Sequence, residues 1–473
     1  MPFPALEVSF FESSNRRDCT ERLSVIRRII GAILWQPIWD VAMGCADPEP
    51  QLKKRMAYQR GIPHTSGPHR VVVTGVGIIT SLGQGCATNA AGFREGRSGL
   101  RPITLFDTSK QRVQTGGEIV FNEPLPANSL SARASARLER SSRMLLHAGL
   151  EAWAQSGWEP DTADETVTPI SLGTSAGAMP LGQDYFKTKT NYPSQKRGLA
   201  TLSQLYQPHS QARALAQATG LRGPFTLVSN ACASGANAIG HAFHAVKHGH
   251  ARRVLAGGYD ALAELVFAGF DSLQALSTTQ PRPFAADRDG LALGEGAAVL
   301  TLERLADAQA RGATVYAEIT GYGATTDLHH LTQPHPEGIA AARSMARACL
   351  EAGVSPDQID YINAHGTGTP LNDGSEGAAI CSWAGPHVSG VRVSSTKGSI
   401  GHLLGGAGAV EAAICILAMR GGWVPPNVAL EKPDDICRFD LVQSPRDADL
   451  RHVLTNSFGF GGANATLVLE KAS

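Results

Sequence analysis

From Val71 onward, short runs of β-branched and aliphatic residues alternate with longer stretches rich in alanine and glycine. No other feature limits the fold as much. Strand followed by helix, repeated, is the pattern of an α/β fold. Residues 71–73, 225–229, 253–257 and 297–302 read as strands, and helices are expected over about 233–249 and 305–311. A strand over 315–320 runs into Gly321-Tyr322-Gly323, echoing Thr74-Gly75-Val76-Gly77 after the first strand. Each T-G-x-G opens a stretch of strands and helices, a short sign of internal duplication. With 51 glycines in 473 residues and aromatics at 6%, close backbone contacts are expected, which suits an α/β enzyme better than a β-sandwich or coiled coil.

The hydrophobic fraction of 42% supplies ample core for a chain of this length. A formal net charge of zero argues against a dedicated nucleic-acid binder. Cys19, Cys45, Cys86, Cys232, Cys349, Cys381, Cys415 and Cys437 are scattered and form no C-x-x-C pair. That disfavours a zinc site or a disulfide framework and suits a reducing cytoplasm. Residues 1–68 read as an appendage, either an amphipathic or disordered extension or the product of an upstream start, with Met43 or Met56 the true one. Within it, the apolar run 29–39 is broken by Pro37 and falls short of the ~20 residues a membrane span needs. Glu7, Glu12, Asp18 and Glu21 sit where a secretion signal carries positive charge. A cytoplasmic protein is expected, with units 1–68, 69–312 and 313–473.

Four places carry chemistry. In Ser229-Asn230-Ala231-Cys232-Ala233-Ser234-Gly235 a strand gives way to a helix of small residues, with the cysteine at the junction. The positive end of the helix dipole there favours thiolate, and free backbone N–H groups await an anion. The bland alternative is a small inert buried residue. In Asn363-Ala364-His365-Gly366-Thr367-Gly368-Thr369-Pro370 an apolar run ends at a histidine, placed where α/β sheets bind ligands unless its own loop satisfies it. Pro370 is expected to stop regular structure. Thr367 and Thr369 offer hydroxyls to a polar substrate arm. His402 precedes a Gly/Ala helix, whose N-terminus should keep the ring neutral and a hydrogen-bond donor. Lys397 and Glu411 flank it, either paired with each other or a histidine, or solvated at the surface. Lastly, Asn456-Ser457-Phe458-Gly459-Phe460-Gly461-Gly462-Ala463-Asn464 is a glycine loop with two apolar plugs. No lysine-bearing helix follows, so a nucleotide P-loop is rejected.

Together, in this order, A-C-A-S-G, A-H-G-T-G-T-P, S-T-K-x-x-x-G-H-L-L-G and N-S-F-G-F-G-G-A-N resemble the β-ketoacyl-acyl carrier protein synthases of the elongating type, from about Arg70 to Lys471. The resemblance implies a thiolase-like fold, two similar βα halves stacked as alternating helix and sheet layers, and a homodimer. It implies Cys232 as acyl-accepting nucleophile, His365 and His402 as the pair that holds the malonyl thioester and stabilises its enolate, and Lys397 and Glu411 as groups orienting that pair. It implies an oxyanion hole of the Cys232 and Phe460 N–H groups, Phe458 and Phe460 as gates of the acyl pocket, and Asp373 and Glu376 as a structural acidic pair. No metal or bound cofactor is implied; phosphopantetheine arrives on the acyl carrier protein, which brings both acyl and malonyl groups.

Arg133, Arg137, Arg140 and Arg143 fall near one helical face where relatives dock the acidic carrier protein, so they are read as a docking patch. Gln274 stands where elongating relatives often have arginine, and His-Gly-Thr-Gly-Thr is similar to polyketide ketosynthases as much as to fatty-acid enzymes. The pathway and the choice between homodimer and heterodimer stay open at this point. A thiolase would place a second cysteine in the 456–464 loop, and an initiating synthase would replace the second histidine. A non-catalytic chain-length subunit, the main alternative, generally lacks the cysteine.

Overall fold

The structure, a computed structural model, describes residues 67–161 and 167–472. The expected appendage lies outside the described residues but for its last two, and so do the apolar run 29–39, Met43 and Met56.

Eleven strands form one path, in the order β9-β8-β7-β10-β11-β6-β1-β5-β4-β2-β3. In chain order they are β1 (Val71–Thr80), β2 (Ile170–Gly173), β3 (Phe225–Val228), β4 (Arg253–Asp260), β5 (Gly296–Arg304), β6 (Ala317–Thr326), β7 (Tyr361–Asn363), β8 (Arg392–Ser394), β9 (Asp440–Leu441), β10 (His452–Phe458) and β11 (Ala463–Lys471). The first half runs β1-β5-β4-β2-β3 and the second β6-β11-β10-β7-β8, with the same senses. In each, the first two pairings are antiparallel and the last two parallel. The halves meet where β1 pairs with β6, Val72 opposite Glu318.

The glycine echo marks a shared packing device. Helix α1 (Arg140–Ser156) lies on β1, and α3 (Ile339–Ala352) lies on β6. A Cβ on Gly75 would stand 2.1 Å from the Ala152 carbonyl oxygen, and one on Gly77 1.8 Å from that of Ala148. On β6, a Cβ on Gly321 or Gly323 would stand 2.1 Å from the carbonyl oxygen of Ala348 or Ser344. Two strand residues on one face span ~6.6 Å and four helix residues ~6.0 Å, so an i, i+2 glycine pair seats an i, i+4 helix ridge.

Between the two halves of the sheet lie α2 (Ser234–Lys247) and, further along the chain, α5 (Ala407–Gly421). Their backbones touch: a Cβ on Gly235 would come within 2.8 Å of Ala409 N, and one on Gly408 within 2.8 Å of Ala236 N. This middle layer shares its core with both halves of the sheet, through Ile239 and Phe243 of α2, Val410 and Ile414 of α5, Val71 and Leu467. The layered, duplicated α/β arrangement is the one expected. Residues Leu404–Gly421 are apolar and long enough to cross a membrane by composition, but 83% of that stretch is buried within the protein, as in a core helix.

One local expectation fails. Pro370 does not stop regular structure; it begins α4 (Pro370–Ala384), with the Thr369 side chain accepting from Asn372 N at the N-terminus. Proline's fixed φ and missing N–H suit the first turn of a helix as well as they end one.

Candidate active site

The turn between β3 and α2 presents Cys232, which is 8% exposed. Ala231 before it has φ 54°, a region that side-chain-bearing residues rarely adopt. Its carbonyl accepts from Ser234 Oγ at 2.6 Å and from Ser175 Oγ at 2.8 Å, which hold the turn in place.

Cys232, His365 and His402, far apart in the chain, converge: their ligating atoms lie within 4.8 Å of one another. His402 Nε2 is 2.9 Å from Cys232 Sγ, and the two imidazoles meet edge to face with centroids 5.2 Å apart. Leu404 N–H donates to His402 Nδ1 at 3.2 Å, so the hydrogen of the neutral ring belongs on Nε2, toward the sulfur. Burial, and then the Lys397 charge, hold His402 well below the usual histidine range; His365 is lowered by the same two causes and by His402. Neutrality was expected from a helix N-terminus; burial and the Lys397 charge act in the same direction.

The helix N-terminus is not the only influence on the sulfur. Burial pushes the Cys232 thiol up to about 12; Lys397 and the Phe460 N–H act against the rise, while Asp260 and Glu411 add to it. A helix dipole is worth at most ~2 kcal/mol, about one and a half pKa units, and does not reverse a shift of that size. Burial therefore works against the thiolate that the helix N-terminus favours.

Lys397 and Glu411 pair with each other, each 2% exposed. Burial raises the Glu411 carboxyl and the Lys397 ammonium opposes that rise. Glu376 accepts from the backbone N–H groups of His365 and Gly366 at 2.8 and 2.7 Å, clamping the loop behind the histidine. Asp373 accepts from Gly368 N at 3.1 Å and Phe284 N at 2.8 Å.

The three reactive groups border a cavity of about 410 Å³ that opens to the surface. Thr367 and Thr369 line it, their hydroxyl oxygens 2.9 Å apart. Phe458 is buried beside His365, with ring centroids 5.8 Å apart. Phe460 is 43% exposed and stacks on Phe270 at 6.0 Å. Leu273, Leu331 and Leu371 give the mouth an apolar rim. Cys232, His365 and His402 offer a donor set that a metal preferring sulfur and nitrogen, such as zinc, could use.

The arginine run is not one face. A short helix, Ala132–Ser135, ends before Glu139, whose carboxylate caps α1 by accepting from Ser141 N and Ser142 N at 2.7 Å. Arg140 turns inward and bonds the fully buried Glu295 at 2.7 Å, so its assignment to docking is corrected. Arg143 lies over the Phe121 ring at 4.2 Å. Arg133 and Arg137 are exposed, and none of the four lines the cavity. Sequence reasoning missed Asp260, Ser175, Phe270 and the Leu404 N–H. Only Asp260 carried a local signal, as an acid at the C-terminal end of an apolar strand.

Residues 69–308 match the family model described as β-ketoacyl synthase, N-terminal domain, and residues 316–431 match the corresponding C-terminal domain. The chain is 38% identical over 414 residues to 3-oxoacyl-acyl-carrier-protein synthase 2 of Synechocystis sp., covering 85% of this chain and 98% of that protein. Among solved structures, the ishigamide ketosynthase/chain length factor superposes with a TM-score of 0.80 and 33% identity, covering 86% of this chain and 100% of that one. A type II polyketide ketosynthase, AntDE, in complex with its acyl carrier protein AntF, superposes with a TM-score of 0.76 and 26% identity over the same shares.

Proposed function

The chain belongs to the β-ketoacyl synthase family, and from that premise we propose how its residues divide the work of a 3-oxoacyl-acyl carrier protein synthase. It is a condensing acyltransferase of thiolase-like fold, acting in fatty acid or polyketide-like biosynthesis. The observation that carries the residue assignment is the meeting of Cys232 Sγ with His402 Nε2 at 2.9 Å, His365 alongside, in one cavity open to the outside.

In the first half-reaction the Cys232 sulfur attacks the acyl thioester on carrier-protein phosphopantetheine, whose arm runs past Thr367 and Thr369; the acyl–S bond to phosphopantetheine breaks, and the Cys232 proton ends on the departing phosphopantetheine sulfur. The Cys232 and Phe460 N–H groups receive the oxyanion, each such donor being worth ~3 kcal/mol of barrier. In the second, malonyl-carrier protein binds with its thioester carbonyl against His365 and His402, whose neutral rings donate to it. The carboxylate leaves as carbon dioxide, and its bonding pair becomes the enolate. The enolate carbon attacks the Cys232 thioester carbonyl. A C–C bond forms, the C–S bond breaks, and Cys232 departs as thiolate. The product is two carbons longer with a 3-keto group. Lys397 and Glu411 hold the histidines' surroundings in register, and Phe458 and Phe460 gate the acyl pocket. Decarboxylation supplies the driving force, so this scheme uses no metal or resident cofactor.

The carrier protein is the partner that delivers both thioesters, in keeping with the neighbour solved in complex with its own. A homodimer is the simplest assembly for a chain that holds all three reactive groups itself, and that same complement disfavours the role of non-catalytic chain-length subunit. The cytoplasm is the compartment in keeping with Cys86, Cys232, Cys349, Cys381, Cys415 and Cys437 unpaired among the described residues.

Intact-mass analysis tests the assignment. Wild-type protein incubated with acyl-carrier protein gains one acyl group, and Cys232→Ala gains none and does not condense while keeping its thermal midpoint. Full elongation by that variant sinks the nucleophile.

A further inference from the structure

Asp260, the last residue of β4, is fully buried, and its carboxylate hydrogen-bonds to neither the sulfur nor the imidazoles, yet those bonds reach the supports of both. Oδ1 accepts from Thr174 Oγ1 at 2.6 Å, Ser175 N at 3.1 Å, Ala176 N at 2.9 Å and Gly177 N at 2.5 Å. Oδ2 accepts from Ser175 N at 3.1 Å and from Gly405 N at 2.6 Å. The two oxygens therefore fasten the loop after β2 to the turn after His402. A Cβ on Gly405 would stand 2.5 Å from Ser175 N, so the two segments are pressed together at this point.

Each segment supports one reactive group. From the first, Ser175 Oγ donates to the Ala231 carbonyl, directly before Cys232. From the second, Leu404 N–H, one residue before Gly405, fixes the His402 ring through Nδ1. Ala231 and Leu404 also share a rare backbone state, with φ 54° and φ 50°. Residues persist in that region only where their surroundings over-determine them. The strained neighbour of the nucleophile and the strained neighbour of the histidine are thus tied to one carboxylate.

We infer that Asp260 is a positioning residue for the condensation, holding the Cys232 turn and the His402 turn in register. The inference rests on the condensing activity proposed above. Its two arms are separable. In Asp260→Asn the amide oxygen still serves Thr174, Ala176 and Gly177, but the NH2 faces the Gly405 N–H, donor against donor, which cuts the histidine arm. Ser175→Ala removes the hydroxyl on Ala231 and cuts the nucleophile arm.

The experiment measures two steps separately: carbon dioxide release from malonyl-carrier protein, and transfer from acyl-carrier protein to Cys232. For Asp260→Asn, decarboxylation falls about tenfold or more, as expected for a lost charge-assisted hydrogen bond, and acyl transfer changes less than about threefold. The 15N signals of the His402 ring move with it, a readout that needs no turnover. Ser175→Ala shows the reverse, with acyl transfer slowed about fivefold and decarboxylation kept. Equal loss of both steps in each variant, or a lower melting temperature with both rates intact, overturns the inference and leaves Asp260 a plain structural residue. Should Asp260→Asn not fold, Asp260→Glu, which keeps the charge but moves the carboxylate off Gly405 N, is read by the same criterion. If the wild-type protein performs neither step, the condensing assignment fails first, and the inference with it.

Discussion

A buried thiol beside a neutral imidazole reacts only when its proton can leave. With the Cys232 thiol pushed up to about 12 by burial, the reactive fraction grows with pH across the whole working range. The rate of Cys232 alkylation by iodoacetamide is therefore expected to rise nearly tenfold per pH unit from ~7 to ~9.5, with no plateau, because only the ionised form attacks. A plateau near neutrality would show that the helix N-terminus outweighs burial after all. The reactive residues were legible because each sits in a distinctive local setting: a cysteine at a strand-to-helix junction, one histidine in a loop of glycine and threonine, the other before a helix of glycine and alanine. Asp260 was marked only as an acid ending an apolar strand; its partners, the Thr174 hydroxyl and the backbone N–H groups of 175–177 and 405, leave no mark near it in the sequence.

At the level of strands and helices, the T-G-x-G echo was visible but too short to explain itself. Its meaning lies in the helix pressed on each strand, whose carbonyls occupy the space a Cβ would fill. Gly323→Ala should cost about 3 kcal/mol or more, read as a lower urea midpoint, because backbone must move to admit the methyl. An unchanged midpoint would mean that α3 can lift from β6 freely. The two misread elements share a cause. Pro370 begins α4 rather than ending a loop, and the arginine run breaks where Glu139 caps a new helix. Both depend on where a helix starts, which side-chain spacing alone does not tell.

For the molecule as a whole, Arg133 and Arg137 face solvent, and their proposed part in docking the acidic carrier protein is open to a direct test. The double variant Arg133→Glu/Arg137→Glu is expected to raise KM for the carrier protein about fivefold at low salt, with kcat little changed and the difference shrinking as salt is added. An unchanged KM would remove both residues from the docking surface. Arg140→Ala should instead lower stability, since it strands the buried Glu295. Reactive groups from both halves meet at the ends of α2 and α5, helices whose backbones touch through glycine and alanine. Neither helix can take on bulk or slide without parting sulfur from imidazole. Descendants of such a scaffold would keep this pair frozen and diversify at the apolar rim, where a wider or narrower doorway selects the cargo without disturbing the chemistry.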